Sequence, residues 1–111
     1  MTVKALMPVR KVNLVVPLAH EATAMRILKT VCQEPIAVSS RSLSGGAGTL
    51  RISMRQHSHG EARNAMLSVF GAIRQIKTIY VFDEDIDIHD ERQVEWAMGT
   101  RFQADQDIVM V

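Results

Sequence analysis

Between residues 49 and 82 the hydrophobic period changes twice, and that change constrains the fold more than any other feature of the chain. Thr49–Arg55 alternates: Leu50, Ile52 and Met54 fall on one side, and Thr49, Arg51, Ser53 and Arg55 on the other, the pattern of a half-buried strand. Ser58-His59-Gly60 breaks the alternation. From Glu61 to about Gln75 the period lengthens, and Ala62, Met66, Val69, Phe70, Ile73 and Ile76 make a wide apolar helical stripe. Thr78–Phe82 is then almost continuously apolar or β-forming, as expected of an interior strand.

The remaining elements follow from the same reasoning. Val12–Val16 is a β-rich run closed by Pro17 and reads as a strand. His20 to Gln33 reads as a helix with Met25, Leu28 and Cys32 on one face, ended by Pro35. Ile36–Ser39 is a strand hairpinned to Thr49–Arg55 through Ser44-Gly45-Gly46-Ala47-Gly48. Asp90 is a good N-cap, with Gln93 placed to return the capping bond, for a helix in which Val94, Ala97, Met98 and Arg101 share a face. Asp107–Val111 is strand-like. The expected fold is a single α/β (α+β) domain over residues 1–111, with β-α-β-β-α-β-α-β order and helices packed on a mixed sheet. Its first six elements follow a split βαβ, ferredoxin-like order.

With 111 residues, 47% of them hydrophobic and 23% charged, the chain can bury a core without staples and is not of the disordered class. No apolar run approaches the ~20 residues of a membrane span. The first ten residues lack the apolar stretch of a secretory leader. A lone cysteine, Cys32, excludes an internal disulfide framework and a multi-cysteine zinc site. A reducing cytoplasm is the expected compartment, with no membrane partner. Charge is split along the chain: residues 1–79 carry a net +8 and residues 80–111 a net −7, and the expectation is that the two segments meet in the fold and compensate. The basic residues are scattered and aromatics few, so no nucleic-acid partner is expected.

Asp83, Asp85 and Asp87 alternate and, on an extended chain, would share a face. Three carboxylates so placed are donors for Mg²⁺ or Ca²⁺, but the glycine of an EF-hand loop is missing, and pairing with Arg or Lys is the ordinary alternative. His57 and His59 flank Ser58 without a third metal ligand in view. The Ser44–Gly48 loop joins strand to strand and matches neither dinucleotide nor Walker phosphate loops. Cys32 lies on an apolar helix face and reads as a small buried hydrophobe. Trp96 reads as a contact residue at a domain or subunit boundary. No catalytic, cofactor-binding or metal-binding residue is assigned. Asp83, Glu84, Asp85, Asp87, Trp96 and Arg101 are the interface or structural candidates.

Residues 75–111, QIKTIYVFDEDIDIHDERQVEWAMGTRFQADQDIVMV, resemble the carboxy-terminal domain of the UbiD-type decarboxylases. The resemblance rests on Lys77 before a hydrophobic strand, the Asp83-Glu84-Asp85-Ile86-Asp87 turn, Val94-x-Trp96-Ala97-Met98-x-Thr100-Arg101, and Asp105-x-Asp107. Gly60-Glu61-Ala62 resembles the opening of the preceding helix in that family, whereas Gly99 stands where the family usually has Ala. The resemblance implies carboxy-lyase chemistry on aromatic or α,β-unsaturated acids, with prenylated FMN as the electron sink. It further implies that the flavin, a divalent metal and the catalytic residues belong to a larger domain or partner chain. Whether a small subunit or an excised C-terminal domain, this chain is then expected to serve assembly, in an oligomer or on a larger catalytic subunit. A ferredoxin-like module binding a small regulatory ligand is the alternative.

Overall fold

The computed structural model describes residues 10–40 and 48–110, with side chains from residue 18 onward. The elements are α1 (Arg10–Val31), β1 (Glu34–Ser39), β2 (Thr49–Arg55), α2 (Glu61–Ala72), β3 (Thr78–Phe82) and α3 (Glu91–Thr100). The three strands form one mixed sheet in the order β1-β2-β3. β1 and β2 are an antiparallel hairpin with a bulge between Pro35 and Ala37. β2 and β3 are parallel, in register from Thr49↔Thr78 to Ser53↔Phe82, and α2 supplies the crossover that a parallel pair requires.

The alternation of β2 sorts the core into two layers. Leu50, Ile52 and Met54 pack with Ala24, Leu28 and Cys32 of the α1 segment and with Ala65 and Val69 of α2. On the opposite face Tyr80 and Phe82 of β3 meet Ile86 and Ile88 of the following turns and Val94 and Ala97 of α3. Helices therefore cover both faces, and a strand expected to be half-buried is enclosed: Ser53 is buried and the Arg51 side chain is only 12% exposed.

The class, the mixed sheet and the order of the six inner elements match the sequence expectation; the two ends do not. Val12–Val16 belongs to α1 and not to a strand. β-propensity is a weak local preference, and lengthening an existing helix gains a hydrogen bond for each residue fixed. Pro17 lies inside α1 and withholds one backbone N–H. Nor do residues 107–110 form a strand. The Gln106 and Asp107 N–H groups donate to the Gln103 carbonyl at 3.0 and 2.8 Å, and the Asp107 carboxylate accepts from the Gln103 N–H at 2.7 Å, which closes a turn just before the apolar run. Among the described residues the sheet lacks that first strand and carries helices on both faces, a departure from the split βαβ, ferredoxin-like order. α2 ends at Ala72 rather than near Gln75, because the chain turns extended at Ile73 and so buries Ile73 and Ile76. The Ser44–Gly48 loop lies outside the described residues except for Gly48, whose carbonyl accepts from the Lys77 and Thr78 N–H groups at 2.7 and 3.1 Å and ties the starts of β2 and β3 together.

Two glycines are opposite in kind. Gly60, which caps α2, has φ of 87°, a left-handed conformation natural to glycine. Gly99 sits in exposed helix with nothing within 4 Å of an added Cβ. Gly99→Ala is therefore expected to stabilise the fold by up to about 1 kcal/mol, and Gly60→Ala to destabilise it by about 1–2 kcal/mol; urea denaturation of the two variants checks both signs.

Candidate functional site: the charged rim and the strand-edge cleft

The acidic segment after β3 is not extended. It makes two successive turns, Ile86 N–H to Asp83 O at 3.1 Å and Asp90 N–H to Asp87 O at 3.0 Å. These turns send Ile86 and Ile88 into the second core layer and leave the carboxylates at the rim. The carboxylates are partnered in turn, two of them by the same arginine. Asp85 receives both terminal nitrogens of Arg101, at 2.8 and 2.6 Å, the bidentate geometry that only a guanidinium supplies. Asp83 lies 3.5 Å from the same group. Glu84 is 3.4 Å from Arg55 of β2. Asp87 accepts from the His89 N–H at 2.9 Å while its own N–H donates to the Gln93 side chain. Asp90 accepts from the Arg92 N–H as the N-cap of α3, and Gln93 donates to its other oxygen at 3.3 Å; the returning bond goes to Asp87 rather than to the Asp90 backbone.

Arg101 also lies over the Trp96 ring, 5.1 Å from its centroid. Trp96 remains 54% exposed, so the rim presents an aromatic surface with a fixed cation on it. The Asp85 carboxylate drives the Arg101 pKa above its ordinary value, and Arg101 in turn holds Asp85 below the usual carboxylate range by hydrogen bonding.

Three features of the interior carry no obvious signature in the sequence. Arg51 reaches the third layer: its terminal nitrogens bind both Glu91 oxygens at 2.8 and 3.0 Å and touch the Ile88 carbonyl at 3.4 Å. That hydrogen bond pulls the Glu91 pKa down. Glu61, at the start of α2, is buried, and its carboxylate accepts from the His57 N–H at 3.0 Å and the Gln33 N–H at 3.3 Å, joining the β2–α2 and α1–β1 connections. His57 closes the same corner through Glu34 at 2.9 Å. Burial raises the Cys32 thiol, and the Glu61 charge raises it further, so Cys32 is a packed hydrophobe and no nucleophile. The third feature is a cleft of about 600 Å³ along the outer edge of β3, bounded by α2, the end of α3 and the segment after it. Ile79 to Asp83 line it without interruption.

Helices on both faces of a mixed sheet, with a basic strand tied to an acidic turn-and-helix layer, define a domain built around its own charge pairs and open along one strand edge. A family model described as the 3-octaprenyl-4-hydroxybenzoate carboxy-lyase C-terminal domain matches residues 13–111, and the chain belongs to that family. It is 34% identical over 92 residues to an anhydromevalonate phosphate decarboxylase of Aeropyrum pernix, covering 83% of this chain and 21% of that protein. It is 44% identical over 71 residues to the gallate decarboxylase of Lactiplantibacillus plantarum, covering 60% of this chain and 14% of that protein. The UbiD-class enzyme HmfF from Pelotomaculum thermopropionicum, solved in complex with FMN, superposes with a TM-score of 0.79 at 31% identity, over 88% of this chain and 22% of HmfF. The chain thus spans about a fifth or less of the length of these relatives.

No three His, Cys, Asp or Glu side chains among the described residues converge to hold an ion. The cleft's Arg101 is committed to Asp85 and Asp83, and the two buried polar atoms without a partner among the described residues, His20 Nδ1 and Arg51 Nε, do not belong to its lining.

Glu61→Ala strands two backbone donors and is expected to cost on the order of 1–3 kcal/mol, read by urea denaturation. The Asp85 and Glu91 bonds stabilise the fold above about pH 4 and lose that contribution as pH falls through their lowered pKa values, because the unfolded chain takes up those protons first. Asp85→Asn and Glu91→Gln are accordingly expected to flatten the loss of stability below about pH 4 in an acid titration.

Proposed function

We propose that this chain is the carboxy-terminal domain, or a separately made small subunit, of a prenylated-FMN-dependent UbiD-type carboxy-lyase acting on an aromatic or unsaturated carboxylic acid. It is not catalytic by itself. It folds as one domain over residues 1–111, completes a wall of the active site and mediates assembly with a larger flavin- and metal-bearing catalytic chain. The family match carries the reading, and the fraction of each relative that the chain spans supports its second half. Removal of a carboxylate requires an electron sink, and among the described residues no three His, Cys, Asp or Glu side chains converge to hold an ion. What they do offer is rigidity: the Asp85–Arg101–Trp96 stack holds a large aromatic side chain outward in one orientation, the form that anchors protein interfaces commonly take. Asp83, Glu84 and Asp87 fix the turn beneath it. The absence of a long apolar helix among the described residues and the buried single cysteine agree with a cytoplasmic setting.

Co-expression with a larger UbiD-like chain tests the proposal. The expected result is a stable complex that releases carbon dioxide from an aromatic acid, with this chain alone colourless and inactive. A lone preparation that carries stoichiometric flavin, or the lack of any complex, overturns it. Within the complex, Trp96→Ala is expected to weaken association by about 2 kcal/mol or more, read by calorimetry, with the melting temperature of the isolated chain little changed.

A further inference from the structure

The two edges of the sheet are unlike. β1 is blunted: Pro35 has no N–H to offer, and the bulge between Pro35 and Ala37 breaks the ladder, two devices that discourage pairing. β3, Thr-Ile-Tyr-Val-Phe, carries neither, and among the described residues nothing pairs with its outer edge. The cleft along that edge is lined by β3 and also by Gln106, Asp107 and Val109 of the segment after α3. That segment, Asp107-Ile108-Val109-Met110, is rich in β-forming residues but lies in no ladder. Ile108 is 50% exposed and Met110 89%, whereas Val109 between them is half-buried.

We infer that residues 107–110 are a strap that closes antiparallel onto the outer edge of β3 as a fourth strand, and that the cleft is its open position. Direction follows from the fork at the end of α3. Arg101 binds Asp85, three residues past the end of β3, so the segment leaves α3 beside the C-terminal end of that strand and returns along it in the opposite sense. Register follows from burial. Residues that face one another in an antiparallel pair share a side of the sheet. Ile79 and Val81 pack on the α2 side with Met66, and Tyr80 on the α3 side with Ala97 and Met98. Val109 opposite Tyr80 therefore keeps its present place in the α3 layer. Ile108 then faces Val81 and Met110 faces Ile79, which takes both exposed side chains out of water. A shift of one residue would reverse all three. Asp107, at the end of the ladder, keeps its bond to the Gln103 N–H. The strap involves one chain and its own edge, so it stands or falls apart from the flavin reading.

Amide hydrogen exchange, read by NMR on the full chain and on a chain ending at Asp107, tests it. The β3 N–H groups that point away from β2 are expected to exchange about tenfold or more slowly in the full chain. A second readout uses cysteine pairs within one chain, with Cys32→Ala to remove the native thiol. Facing residues lie about 4.5–5.5 Å apart, within disulfide reach. Val81→Cys with Ile108→Cys is expected to link within the chain at a rate independent of protein concentration, and much faster than Val81→Cys with Val109→Cys, which points to the other side. Equal exchange in the two chains, protection that survives the shortening because something else covers the edge, or equal linking of the two pairs overturns the strap. Should the cysteine variants fail to fold, the exchange comparison alone decides.

Discussion

The third layer of this fold depends on a single arginine crossing from the sheet. The α3 face is small, with five buried residues in its apolar cluster against twelve in the other. Arg51 compensates by binding both oxygens of Glu91 and the Ile88 carbonyl from the middle of β2. It thereby fixes the start of α3 at the level of β2, and Arg101, at the other end of the helix, fixes its end above the turn that follows β3. α3 is held at both termini by guanidinium–carboxylate forks, and the modest apolar contact between them fills the space these define. A surface layer secured in this way keeps Trp96 and the acidic turn in a constant relation to the strand edge.

The sequence-level charge split acquires a physical meaning in this arrangement. The basic and acidic segments compensate in part, since Arg51 and Arg55 of β2 each engage a carboxylate of the last third. Of the remaining charges, Arg26, Lys29 and Arg63 lie on α1 and α2, whereas Glu95 lies on α3.

Much of this was legible beforehand. Period-two alternation placed β2, the apolar run placed β3 and the Asp90 cap placed α3, because in each case local chemistry and tertiary context agree. Where they disagree, reading fails in a consistent way. Val12–Val16 has the composition of a strand but is absorbed by the helix beside it, and Asp107 closes a turn in front of another β-rich run. Of the rim candidates, Asp85 and Arg101 lie sixteen residues apart and nothing local announces their pairing. Glu61 was visible only as the first residue of a helix; its role comes from two backbone N–H groups, one of them 28 residues away. Burial of a charged group by distant partners leaves no periodic trace.

The bulge at Pro35 and Ala37 bears on more than the shape of β1. A sheet with two receptive sides is a monomer for polymerisation, since every addition regenerates a growing end. Blocking one side changes the stoichiometry of that process from open-ended to terminating.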